Sequence, residues 1–254
     1  MASLYLVDTL DDVTVGGQVS LDGAEGRHAV TVSRVRVGEQ LRLSDGRGTV
    51  VAGTVASVGK DSLLLTVASV GVEPAPRPSL TLVQALAKGG RDEMAVQAAT
   101  EIGVDRVVPW AAARSVSRWD GPKIEKGRAR WASIAQEAAK QAVRARVPDV
   151  VAPVTTAQLA GGAGAAPVGD GQEARRQLVL LEPTASVRLA TWEPPTDVDE
   201  IALVVGPEGG IEPSELERLE SAGAVRVRLG DTVLRTSTAG PAALAVLQAR
   251  LGRW

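Results

Sequence analysis

Across residues 1–72 apolar and polar positions alternate in short runs. Gln40-Leu-Arg-Leu-Ser44, Gly48-Thr-Val-Val-Ala52 and Ser62-Leu-Leu-Leu-Thr-Val67 carry the period of two expected of strands with one buried face. Asp45-Gly46 and Gly59-Lys-Asp61 break them as turns. The pattern predicts a small β-barrel or meander over residues 1–72. Glu73-Pro-Ala-Pro-Arg-Pro78 follows, with proline at every second position, a stiff extended segment suited to a domain boundary.

From residue 79 the pattern changes to alternating strands and helices, predicting a second domain over 79–254. Ser79 to Ala85, Arg106 to Trp110, Gln177 to Leu181, Ile201 to Val205 and Val225 to Leu229 are short, mostly apolar runs. Strands apolar on both faces and separated by helices predict an α/β fold with a parallel sheet covered on both sides. Helices are predicted over Arg91 to Ile102 (closed by Gly103), Lys123 to Arg146 (ended by Val147-Pro148), Glu215 to Ala222 (with Pro213 near its start and Gly223 past its end) and Thr238 to Leu251, with Ser237 or Thr238 as N-cap. The Ala/Gly-rich stretch from Gly161 to Gly171 has no periodicity and reads as a mobile loop.

Composition narrows the chemistry. There is no Phe and one Tyr, so the core must be Val, Leu, Ile and Ala with Trp as bulky filler. With no Cys and His28 as the one histidine, disulfides, thiol nucleophiles and thiolate or multi-histidine zinc sites are excluded, and no metal is expected. No G-x-S-x-G elbow exists to build a serine triad around His28. No run is long enough to cross a bilayer, and Met1 to Asp12 is acidic without a basic n-region, so a cytoplasmic location without membrane association is expected. The net charge is −2, yet Arg114 to Arg146 holds nine Lys/Arg against Asp120, Glu125 and Glu137, a local +6 able to meet phosphates.

Two segments carry the candidate chemistry. Val204-Val-Gly-Pro-Glu-Gly-Gly-Ile-Glu-Pro-Ser-Glu215 leaves a buried strand through glycines and enters a helix, an arrangement that lets backbone amides approach a ligand at a parallel strand's end. It lacks the Gly-Lys-Ser/Thr of a P-loop, and Glu208 and Glu212 would repel phosphate, so a cationic or neutral ligand fits better. Leu229-Gly-Asp-Thr-Val-Leu-Arg-Thr-Ser-Thr-Ala-Gly240 is a second strand-loop-helix connection, with Arg235 in the loop.

Together these segments resemble the knotted SPOUT methyltransferases, and among them the RsmE-like small-subunit 16S rRNA (uracil-N3)-methyltransferases. Gly206 to Ile211 with Glu215 matches the family's G-P-E-G-G-φ-x-x-x-E, and Leu229 to Ala239 its L-G-x-x-I-L-R-x-E-T-A. Gln97 to Gly103 resembles Q-K-A-T-E-L-G, Gln141 to Pro148 resembles Q-x-x-R-x-R-V-P, and Arg27 to Gly38 resembles the first-domain H-x-x-x-V-L-R-φ-x-x-G. The matches run in order over nearly the whole chain. Ser237 departs from the pattern, standing where the family has Glu.

The resemblance implies a C-terminal SPOUT trefoil-knot domain and an N-terminal PUA-like β-barrel that binds RNA. It implies S-adenosyl-L-methionine held by Leu181, Glu182, Val205, Gly206, Gly210, Ile211, Leu229, Gly230, Val233 and Leu234. It also implies a homodimer acting on 16S rRNA in the small ribosomal subunit. Arg235 then either stabilises the negative charge developing on the uracil oxygens or anchors an RNA phosphate, and Glu208 either accepts a proton or caps its turn. Arg27, His28, Arg34 and Arg36 of the first domain, and Lys88, Arg91, Arg114, Arg144 and Arg146 beyond it, are the candidate RNA contacts, with the outward face of a strand as the plainer reading of Arg34 and Arg36. Two other functions fit the residues: a SPOUT ribose 2′-O-methyltransferase, and a non-catalytic RNA-binding assembly factor.

Overall fold

The N-terminal period-two runs form one five-stranded sheet. In the computed structural model, which describes residues 4–166 and 175–254, its strands are β1 (Leu4–Leu6), β2 (Gln18–Leu21), β3 (Gln40–Ser44), β4 (Thr49–Val58) and β5 (Leu63–Val72), ordered β1-β3-β4-β5-β2. The meander β3-β4-β5 is antiparallel and β1 joins β3 in parallel. Alternate residues such as Leu41, Leu43, Val51, Val55, Leu63 and Leu65 point into a core shared with Tyr5 and Leu21.

The Val-rich stretch after β2 is no strand. It forms α1 (Gly23–Arg27), which continues as a π-helical turn over His28–Val32. Gly26 explains the departure. A Cβ there would lie 2.6 Å from the Leu21 carbonyl oxygen and 2.7 Å from that of Asp61, so only glycine lets this helix sit on the backbone of its neighbours. Arg34 follows at φ 53°, and Arg34 and Arg36 therefore do not lie on a strand face; Val32 and Val37 are 68% and 63% exposed.

The chain divides into two compact units, Met1–Ala75 with Ala139–Val147, and Pro76–Ala138 with Pro148–Trp254. The predicted helix to Arg146 is α3 (Pro122–Gln141), five residues shorter at its C-terminal end. Beyond it Val143 takes φ 56°, and the segment binds β3's turn instead: Ser44 Oγ donates to the Ala145 carbonyl (2.8 Å) and the Val147 amide to that of Gly46 (2.9 Å). Tertiary hydrogen bonds, not helix propensity, decide this end.

In the second unit β6 (Ser79–Ala85), β7 (Arg106–Ala111), β8 (Asp149–Val150), β9 (Val154–Thr155), β10 (Arg176–Leu181), β11 (Glu200–Val205) and β12 (Val225–Val227) form a seven-stranded sheet. Its order is β12-β10-β11-β6-β7-β8, with β9 also on β7, and every pairing is parallel. Side chains of successive residues enter different cores: Ile201, Leu203 and Val205 pack with α2 (Arg91–Ile102), α3 and α6 (Thr236–Arg250), whereas Ala202 and Val204 pack with α4 (Thr156–Ala160) and α5 (Pro213–Ser221). That is why these strands read as unbroken apolar runs. Glu200, fully buried at the start of β11, accepts from Thr81 and faces Arg176 at 3.4 Å. Of the Gly161–Gly171 stretch, residues 161–164 form turns after α4, and the part beyond residue 166 lies outside the described residues.

Candidate active site

The parallel strands β10, β11 and β12 end on one edge, and the loops that leave them enclose a cavity of about 430 Å³. Its size suits a small organic ligand. All ten residues expected to hold the cofactor line it: Leu181, Glu182, Val205, Gly206, Gly210, Ile211, Leu229, Gly230, Val233 and Leu234. Arg235 and Glu208 line it too, as does Arg91 from the start of α2.

The loop after β11 is shaped by its glycines and fastened at several points. A Cβ on Gly206 would lie 2.7 Å from Ile211 Cγ1, and Gly210, at φ 75°, closes a turn by donating its amide to the Pro207 carbonyl (2.9 Å). Glu212 and Glu215 form a reciprocal capping box on α5, with Pro213 at its first position. The buried Glu215 carboxylate also accepts from the Ala113 amide (3.0 Å) and the Thr156 hydroxyl. Arg114 donates to Glu212 (2.5 Å) and to the Gly209 carbonyl (3.1 Å).

Glu208 accepts from the Arg91 guanidinium (3.0 Å) and the Lys88 amide (3.4 Å). Partial burial pushes its carboxyl up, but the amide hydrogen bonds and Arg91 outweigh that and hold it below the usual carboxylate range. Asp92 shapes the loop carrying Lys88 by accepting from the Ala87 amide (3.0 Å). Burial pushes the Asp92 carboxyl up.

At the cavity floor Thr236 donates to the Gly206 carbonyl (2.8 Å) and accepts from Gln84 Nε2 (2.8 Å), joining the ends of β6 and β11 to the start of α6. This replaces the expected Ser237 or Thr238 cap. The helix begins at Thr236, and the Arg235 carbonyl accepts from the amides of Thr238 (2.8 Å) and Ala239 (2.9 Å). Arg228 donates to Asp231 (3.1 Å), which also lies 3.7 Å from Arg188. Glu182 accepts from the Thr184 amide (3.3 Å) and hydroxyl (3.1 Å), and among the described residues no cation neutralises it. The exposed Arg235 guanidinium has no hydrogen bond or ion pair among the described residues.

The candidate RNA contacts separate. Arg27, His28, Arg34, Arg36 and Lys88 are exposed, with the His28 ring edge-on to Tyr5 at 6.3 Å. Arg91 and Arg114 are instead tied to the cavity loop, and Arg146 donates to the Glu73 carbonyl (2.8 and 3.1 Å); Arg144 is half-buried. Sequence reasoning missed Gln84 and Thr236 as organisers of the site, and it singled out Glu215 as a motif position without the bonds it makes. A lone glutamine in the otherwise apolar end of β6 was the available signal for the first.

The chain is similar over residues 73–248 to the RNA methyltransferase domain family, and over residues 21–68 to the RNA methyltransferase PUA domain. It is 42% identical to the ribosomal RNA small subunit methyltransferase E of Mycobacterium bovis, covering 100% of this chain and 94% of the relative. To the Bacillus subtilis protein of the same name it is 32% identical, over 97% and 96%. Among solved structures, a ribosomal RNA small subunit methyltransferase E from Neisseria gonorrhoeae bound to S-adenosyl methionine superposes with a TM-score of 0.83, at 25% identity over 98% of each chain.

Proposed function

We propose that this chain, which belongs to the RNA methyltransferase family that includes ribosomal RNA small subunit methyltransferase E, binds S-adenosylmethionine in the strand-end cavity and methylates N3 of a uridine in 16S rRNA. The observation that carries the reading is the cavity's make-up. Three loops supply apolar walls from Leu181, Val205, Ile211, Leu229 and Leu234, backbone groups at glycine turns, and in Glu182 a carboxylate with no cation of its own among the described residues. Such a lining fits a ligand bearing positive charge and an apolar body. Bound there, S-adenosylmethionine supplies a methyl group on a positively charged sulfur.

The chain's own part is alignment and electrostatics. Arg235 stands at the cavity lip with its donors unspent among the described residues, able to hydrogen-bond the uracil oxygens as N3 gives its proton to solvent and negative charge spreads onto them. Glu208, committed to Arg91 and the Lys88 amide, fastens the loop and is a poor base. The uracil must leave its stack to reach the lip, which favours an unpaired site in the RNA. Arg27, His28, Arg34 and Arg36 would hold RNA from the first unit. The chain would act in the cytoplasm on the small subunit as a homodimer, in which a second copy covers the exposed Val233 and Leu234 beside the cavity. Mass spectrometry of nucleosides from the 16S rRNA of a strain lacking the protein is the test. Loss of 3-methyluridine, restored by the wild-type chain and not by Arg235→Ala, is expected; loss of a 2′-O-methylated nucleoside, or no loss, would overturn the assignment.

A further inference from the structure

Of the cations in the basic stretch from Arg114 to Arg146, those that the fold leaves free in the second unit are not scattered. Arg114 is spent on Glu212 and Gly209, Arg128 on Glu125 (2.8 Å), and Arg130 on Glu93 (2.6 Å). Arg118, Lys123 and Lys126 are exposed, and among the described residues their charged groups have no hydrogen bond or ion pair. At 3.6 residues per turn, positions 123, 126 and 130 fall within about 60° of one another around α3, on one flank. Arg130 shows where that flank faces. Its partner Glu93 is in the first turn of α2, two residues from Arg91, which lines the cavity. The exposed Lys88, whose amide binds the cavity's Glu208, stands at the near end of the same path, and its ammonium is likewise without a partner.

Lys123 lies in the first turn of α3, where a cation opposes the helix dipole and brings nothing to the helix's stability. We propose that Lys88, Lys123 and Lys126, with Arg118 before the helix, form a track for the phosphates of the RNA strand that leaves the cavity, running past the start of α2 onto the first turns of α3. The partner is RNA because the track is a row of unneutralised cations beginning at the site where a nucleotide is to be presented. The inference rests on the proposed activity.

The test measures methylation of unmodified small ribosomal subunits by the full chain between about 50 and 200 mM salt. Each phosphate contact to a single strand contributes about 0.7 to the slope of log affinity against log salt. For K123Q/K126Q we expect that slope, read as 1/KM, to become shallower by about 1.4, and KM to rise on the order of tenfold at physiological salt, with kcat and S-adenosylmethionine affinity unchanged. K123R/K126R should behave as wild type. R128Q removes one cation from the other flank and should leave the slope alone. An unchanged slope and KM in K123Q/K126Q, or an equal effect per charge in R128Q, would overturn the track while leaving the activity standing. Absence of methylation by the wild-type chain would instead sink the activity itself.

Discussion

Thr236→Val isolates the polar clasp beneath the cavity. The substitution keeps the branched shape and removes one oxygen, so it deletes two hydrogen bonds of 2.8 Å, one to the Gly206 carbonyl and one from Gln84. Each is worth about 1 kcal/mol net. Gln84 is fully buried and its Oε1 has no partner among the described residues, so its second amide hydrogen would be stranded as well, leaving only the bond to the Ala85 carbonyl (3.1 Å). A stranded buried donor costs about 1–3 kcal/mol, which brings the expected loss to about 3 kcal/mol. The chain carries its own reporter: all five tryptophans, at positions 110, 119, 131, 192 and 254, lie in the second unit. With a urea dependence of about 2 kcal/mol per molar, the tryptophan-fluorescence midpoint should fall by about 1.5 M. Adding Gln84→Met removes the stranded donor, so the double variant should regain part of that loss although a further polar group is gone. A midpoint shift below about 0.3 M, or a double variant weaker than the sum of the singles, would refute the clasp.

Gly206→Ala places a methyl group 2.7 Å from Ile211 Cγ1 in the cavity wall; an overpacking cost of about 1–3 kcal/mol should lower S-adenosylmethionine affinity about tenfold by calorimetry, and unchanged affinity would count against the assigned pocket. If Arg235 acts as proposed, Arg235→Ala should abolish methylation of small subunits while leaving that affinity within a few-fold; wild-type turnover would remove it from the mechanism. Glu208 has a folded-state pKa below its unfolded value, so its stabilisation is present above about pH 4.3 and is lost as pH falls through the folded value. The stability gap between wild type and Glu208→Gln in acid titrations should therefore shrink on acidification, and a widening gap would contradict the Arg91 tie.

What the sequence made legible was local, and what it hid was pairing. Ser79–Ala85 and Arg91–Ile102 form as expected because each carries its own signals, an apolar run in one case and a closing Gly103 at φ 113° in the other. Two of the cavity loops were legible from their glycines at strand ends, whereas the loop after β10, Leu181 to Thr184, has no glycine and was reached only through the family resemblance. The helix at Gly26 was not, since its cause is close approach to two backbone carbonyls that no local pattern announces. The same limit governed the arginines. A count of charge over Arg114 to Arg146 treats every cation alike, yet Arg91 meets Glu208 across 117 residues and Arg114 meets Glu212 across 98. Those pairings make fasteners of the cavity loop out of two residues expected to contact RNA. Subtracting them is also what exposes Lys123 and Lys126, because a cation's availability to a partner depends on the acids the fold brings to it rather than on its own place in the chain.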